Sequence, residues 1–228
     1  KIASADFTNL PLIDLVCSFG KPVLISTGAC TILEIINLKS YISKKYPRIE
    51  IIFMHCVLSY PTDYKFANLQ QIELLKAKLK TGIVGYSDHT MPDKSMLVLL
   101  ESYRYGAKVI EKHFTSDDLK GQKNNDHFHS MDFNDLKMLR DNLELVKVIK
   151  GKKEKRKILA CEIISRKNAR RSIFTFTSMK KGDKFSNKNI IPKRPGDGIS
   201  TIKINKIFNK KATKNLPNDH KLKWSDIS

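Results

Sequence analysis

The sequence predicts an α/β fold, a series of strand–helix units, followed by a small β-rich module. Three observations carry that reading. Short apolar runs alternate with stretches of helical period up to about residue 150, at a repeat of roughly 25 to 30 residues, as βα units require. The runs are continuously apolar, the mark of a parallel sheet covered on both faces. After Asn168 the period changes to two, the signature of half-buried strands. At 228 residues and 41% hydrophobic, the chain can form one large domain or two modest ones.

Residues 1–5 read as a strand stub. Residues 9–19 read as a helix on Leu12, Leu15, Val16 and Phe19, ended by Gly20. Residues 22–25 form a buried strand followed by Ser26-Thr27-Gly28. Thr31-x-x-Glu34 is a capping box, opening a helix with Ile32, Ile35, Leu38 and Ile42 on one face. Residues 49–54 are the next strand, leading into His55-Cys56, with Tyr60-Pro61-Thr62 in the loop beyond. Residues 67–79 make a helix on Leu69, Ile72, Leu75 and Leu79. Strands at 82–85 and 107–110 flank a helix at 94–106, and each places a histidine just past its end, His89 and His113. Residues 133–150 form a long helix with Leu136, Leu139, Leu143 and Val146 on one stripe.

Strand and helix thus alternate five times, with polar residues beyond each strand: Ser4, Ser26, Tyr60, Ser87 with His89, and Glu111 with His113. Function gathered at strand C-termini suits a (β/α)8 barrel or an open doubly wound sheet. The absence of a Gly-rich loop after any strand disfavours the dinucleotide-binding version. Five strands cannot close an eight-stranded barrel, so a barrel would lack about three βα units. Residues 151–157 are a charge run. Beyond them, 171–177 alternates as a strand, Lys181-Gly182-Asp183 is a turn, and Pro192, Pro195 and Gly196 exclude helix.

Composition narrows the function. No apolar run reaches about 18 residues, so no membrane span is expected, and with no leader visible the expected location is cytoplasmic. Cys17, Cys30, Cys56 and Cys161 lack paired spacing and read as reduced, mostly buried thiols. The net charge of +19 raises nucleic-acid binding. The basic residues read as spread along the chain, however, without a nucleic-acid-binding signature, and a positive field equally draws small anions. Two imidazoles at one end of neighbouring strands are a candidate metal site. Glu111 lies two residues before His113 and so shares its side of the strand, whereas Lys112 points the other way, against a Schiff-base role.

The motifs Lys1-Ile-Ala-Ser4, Lys21-Pro-Val-Leu-Ile-Ser-Thr-Gly28, Ser59-Tyr-Pro-Thr62, Gly85-Tyr-Ser-Asp-His-Thr90, Glu111-Lys-His-Phe-Thr115, Asn125-Asp-His127 and Lys193-Arg-Pro-Gly196 run in order along the chain. In them the chain resembles the sialic acid synthase family, the N-acetylneuraminate synthases and their legionaminic and pseudaminic relatives. The resemblance implies a TIM barrel, here without about its first three βα units, at 1–150, a linker at 151–168 and an antifreeze-like (SAF, β-clip) domain at 169–228. It implies condensation of phosphoenolpyruvate with an N-acetylated amino sugar such as N-acetylmannosamine, giving a nonulosonic acid and phosphate. By the same resemblance His89 and His113 hold a divalent cation, Mn2+ or Mg2+, that polarises the sugar aldehyde. Glu111 is the catalytic acidic group. Lys1, Ser4, Ser26 and Ser87 bind the phosphate and carboxylate of phosphoenolpyruvate. Tyr60 lines the sugar pocket, Asp126 contacts the sugar or a metal-bound water, and Arg194 reaches the N-acetyl group across a domain-swapped homodimer. The chain departs from the family at Leu58, where members carry Ser or Asn, and at residues 121–125, which replace a Pro-Gly-Pro run. His127 and His129 read as loop residues rather than ligands. The alternative expectation is a catalytically inactive or carbohydrate-binding remnant.

Overall fold

The computed structural model describes residues 1–123 and 125–228, so Asn124, within the divergent 121–125 run, lies outside the described residues. The chain divides into two units, Lys1–Lys152 and Lys153–Ser228.

The first unit contains helices α1 (Leu10–Ser18), α2 (Ile32–Lys45), α3 (Gln70–Leu79), α4 (Leu97–Arg104) and α5 (Phe133–Lys150), and strands β1 (Val23–Ser26), β2 (Ile51–Cys56), β3 (Gly85–Asp88) and β4 (Val109–Lys112). The strands form one parallel sheet in the order β1-β2-β3-β4. Each helix begins or packs as its residue pattern dictates. The Asn9 side chain accepts from the Leu12 N–H to cap α1. Thr31 and Glu34 close the expected capping box of α2, whose Ile35, Leu38 and Ile42 are buried. Asp132 and Asp135 form a second box at the head of α5.

Parallel strands with paired register send paired side chains to the same face. Ile25, Phe53 and Tyr86 therefore face the helices and join the core with Ile13, Ile42, Ile72 and Leu99. Ser26, Met54, Cys56, Gly85, Ser87 and Glu111 share the other face. Gly85 is required there: a Cβ would stand 2.8 Å from Met54 Cγ and 3.1 Å from the Val109 carbonyl oxygen.

Several expectations are corrected. The stub at 1–5 is a single parallel bridge, Ile2 to Ile25, followed by a 3-10 turn at Ser4–Asp6. The strands expected at 82–85 and 107–110 lie at Gly85–Asp88 and Val109–Lys112, because the ladder forms on the polar site-bearing residues, with the apolar runs beneath it. The helices expected at 67–79 and 94–106 start at Gln70 and Leu97 and the second ends at Arg104. On α5 only Leu139 is fully buried, while Leu136 is exposed. The described residues form a parallel half-barrel sheet of four strands rather than the expected five, with β1 and β4 at its ends.

The second unit holds α6 (Ile163–Ala169) within the stretch expected as linker, and an antiparallel pair, β5 (Ser172–Thr175) and β6 (Ile190–Lys193). Pro192 is accommodated because β6 pairs on one side only. Ile173, Phe185, Ile207 and Leu222 are fully buried at its centre. This unit carries 21 of the 42 basic residues and 6 of the 23 acidic ones, so the positive charge is concentrated here, not spread. No helix among the described residues is long and apolar enough to cross a membrane.

Candidate active site

At the C-terminal ends of β2, β3 and β4, Cys56, Ser87 and Glu111 stand side by side in register. Ser87 Oγ donates to Glu111 Oε1 at 2.9 Å, and Lys1 Nζ donates to the same oxygen at 2.7 Å. Burial pushes the Glu111 carboxyl up, but the Lys1 ammonium and Ser87 hydroxyl outweigh it and hold the group below its ordinary value. Ser4 Oγ accepts from the Gly28 N–H at 2.9 Å. Ser26 is 1% exposed and its hydroxyl has no hydrogen-bond partner among the described residues. Lys1, Ser87 and Glu111 are thus joined directly. Ser26 and Ser4 belong to the neighbouring β1 end, Ser4 through its bond to the loop just after that strand.

One residue beyond β3 and β4 come the two histidines. Their rings lie 5.3 Å apart, centroid to centroid, tilted by 55°. His89 is buried, and its Nδ1–H donates to the Val57 carbonyl at 2.8 Å, which leaves Nε2 with the free lone pair. Burial lowers the His89 pKa, keeping the ring neutral. Tyr60 lies against it at 4.1 Å between ring centres. His113 Nδ1 is 3.4 Å from Asp126 Oδ2.

What anchors this end of the sheet lies on its opposite face. Asp88 Oδ2 meets Lys112 Nζ at 2.8 Å, accepts from Thr90 Oγ1 at 3.0 Å, and its Oδ1 accepts from the Tyr86 hydroxyl at 2.8 Å and the Thr90 N–H at 3.0 Å. Lys112 is spent in this buried pair, as its side of the strand implied.

The sequence reading missed His129. The 3-10 turn Asn125–His129 carries it back to the site, 2% exposed, with its ring 4.7 Å from His113, 6.1 Å from His89 and 5.6 Å from Tyr60. One ligand atom each from His113, Asp126 and His129 falls within a mutual 4.8 Å, a grouping able to hold a cation. His127 stays outside it, bonded through Nδ1 to Thr115 Oγ1 at 2.8 Å. The Asp126–His129 spacing of three residues was the available signal, since i and i+3 eclipse in a 3-10 turn. Arg194 is exposed just after β6, in the second unit.

The profile of the NeuB family matches residues 1–155, and that of the SAF domain matches residues 170–228. An uncharacterized protein of Methanocaldococcus jannaschii is 40% identical over 228 residues, all of this chain and 65% of its own length. The N,N'-diacetyllegionaminic acid synthase of Campylobacter jejuni is 34% identical over 220 residues, 96% of this chain and 64% of that protein. The chain therefore spans just under two thirds of the length of these relatives. A crystal structure of N-acetylneuraminic acid (sialic acid) synthetase from Leptospira borgpetersenii in complex with citrate superposes with a TM-score of 0.60 at 33% identity, over 72% of this chain and 54% of that one.

Proposed function

The chain belongs to the NeuB family and carries a SAF domain, and on that premise we propose that the protein condenses phosphoenolpyruvate with an N-acetylated amino sugar to give a nonulosonic acid and phosphate. The observation that carries this reading is the pairing of His89 and His113 at 5.3 Å beside the row of Lys1, Ser87 and Glu111. The proposed location is the cytoplasm.

A divalent cation, Mn2+ or Mg2+, fits the residues present. His89 is tautomerically fixed by a backbone carbonyl, the usual arrangement for a metal-bound imidazole, and a buried imidazole nitrogen of His129 has no hydrogen-bond partner among the described residues. His89 and His113 would hold the cation, which supplies Lewis-acid polarisation of the sugar's aldehyde oxygen. Lys1 contributes a point charge, and Ser4, Ser26 and Ser87 contribute hydroxyls, to the phosphate and carboxylate of phosphoenolpyruvate. The unpartnered Ser26 hydroxyl is a donor ready for an anion. As C3 of phosphoenolpyruvate bonds to the aldehyde carbon, water adds to the oxocarbenium-like C2, Glu111, kept ionised by Lys1, takes that water's proton, and the tetrahedral C2 then expels phosphate. Tyr60 and Asp126 face the sugar. Arg194 serves the N-acetyl group of a partner subunit's sugar in a domain-swapped homodimer. Most of the rate comes from alignment and charge placement.

The test is phosphate release from phosphoenolpyruvate, which should require both an N-acetylated amino sugar and a divalent cation. His89→Ala should abolish it. Release without the sugar, or an unchanged rate in His89→Ala, overturns the reading. A second reading, that these 228 residues alone are catalytically inactive, is favoured by the open half-barrel sheet. No turnover by this chain together with intact cation binding would support it.

A further inference from the structure

His129 belongs to no role assigned so far, yet it is the most tightly enclosed imidazole of the cluster. Its side chain is 3% exposed, and its Nε2 is buried with no hydrogen-bond partner among the described residues. Leaving such a group unpaired carries its full desolvation cost, so a structural histidine here would be expected to turn its nitrogen to a partner. Asp126 does not fill that role, because its Oδ1 is 4.0 Å away. The His129 side chain instead borders the space shared with His113 and Asp126, one donor atom of each of the three lying within 4.8 Å of the others.

The ring spacings centre on His113. An imidazole nitrogen bonded at about 2.1 Å puts its ring centre about 3 Å from the metal, so rings sharing an ion stand roughly 4.5 to 6 Å apart. His113 lies in that range from both others, 4.7 Å from His129 and 5.3 Å from His89, while His89 and His129 stand 6.1 Å apart, just past its outer limit. The placement is also held by backbone: Ser130 Oγ donates to the Asp126 carbonyl, and the Met131 N–H donates to the His113 carbonyl at 2.9 Å, tying the 125–131 segment to the end of β4.

We propose that His129 is a third imidazole ligand of the cation seat formed by His89 and His113, making that seat nitrogen-rich and selective for a first-row transition cation over Mg2+. This rests on the reading that the site holds a divalent cation at all. The chemistry is that imidazole nitrogen favours the later divalent ions of the first row, while Mg2+ seeks an octahedron of oxygens and keeps its waters. Three imidazoles leave Mg2+ little of what it needs.

The experiment strips the protein with a chelator and titrates Co2+, Mn2+ and Mg2+ by calorimetry, with the Co2+ d–d absorption followed in parallel. Wild type should bind Co2+ at least about a hundredfold more tightly than Mg2+, with Mn2+, the weakest binder of the first-row series, in between. His129→Ala should lose about tenfold or more of the Co2+ affinity and change its absorption band, while its metal-free thermal melt matches wild type. If His129→Ala does not fold, pulsed EPR on Mn2+-loaded wild type should count three coupled imidazole nitrogens. Unchanged Co2+ affinity and spectrum in His129→Ala, a count of two, or equal affinity for Mg2+ overturns the proposal while leaving the His89–His113 seat standing. Wild type that takes up none of the three ions overturns that seat as well.

Discussion

Lys112 and Asp88 form an ion pair of 2.8 Å with both side chains 1% exposed, and each is followed in the chain by one of the two paired histidines, His113 and His89. The pair therefore ties the ends of β3 and β4 together on the helix-facing side while the imidazoles meet beyond. Removing one partner of a buried pair strands the other charge in a low-dielectric setting. Lys112→Ala should lower unfolding stability by about 3–5 kcal/mol, read as a shift of the urea midpoint. A midpoint equal to wild type would show that the pair holds nothing in place.

Glu111 offers a titration test. Burial raises its pKa, and Lys1 and Ser87 more than reverse that. In a carbon-13 NMR titration its carboxyl should protonate below the ordinary 4.5. Lys1→Ala should move that midpoint upward, because only the raising influence and the weaker hydroxyl remain. A midpoint insensitive to Lys1 would break the assignment of this contact.

In the second unit, Asp226 is fully buried and meets Lys214 Nζ and His220 Nε2 at 2.9 Å each, as well as the Lys223 N–H. Burial pushes its carboxyl up, but these partners prevail and bring it from 3.8 to about 2. A folded-state pKa below the unfolded value means that its stabilisation is complete above the unfolded pKa. It is lost as pH falls toward the folded one. Acid should thus remove about 2 kcal/mol of stability between about pH 4 and pH 2, and Asp226→Asn should flatten that part of the stability profile. A slope of equal size in the variant assigns the acid sensitivity elsewhere.

Gly85 is predicted from its contacts to resist substitution. Gly85→Ala should cost about 1–3 kcal/mol, the scale of overpacking a tight interior, since Met54 and the Val109 carbonyl both stand within 3.1 Å of the added carbon. A thermal melt reads the loss, and Met54→Ala in the same chain should recover part of it.

Much of the fold was legible in local chemistry. The Thr31–Glu34 box and the 18 residues of α5 announce themselves through capping and period. The two histidines beyond β3 and β4 were legible because a parallel sheet gathers its polar ends. The position of β3 was not. Its residues Gly85, Tyr86, Ser87 and Asp88 are all buried, and their polar groups are satisfied by partners distant in sequence, such as Glu111 for Ser87 and Lys112 for Asp88. No apolar pattern marks such a strand. His129 was half hidden: its spacing of three from Asp126 is local, but its burial comes from a turn folding back on β4, which that spacing does not encode. The family resemblance is borne out by the NeuB and SAF matches.

His89 is gripped twice by one short segment. Its Nδ1–H reaches the Val57 carbonyl, its own carbonyl accepts from the Thr62 N–H at 2.8 Å, and Tyr60 from the middle of that segment covers its ring. Any change within residues 57–62 will also swivel the imidazole, so the shape of this segment and the setting of the ring cannot be tuned as separate dials. Exchanging the hexapeptide as a block, with its two anchor points intact, is the way to alter one without forfeiting the other.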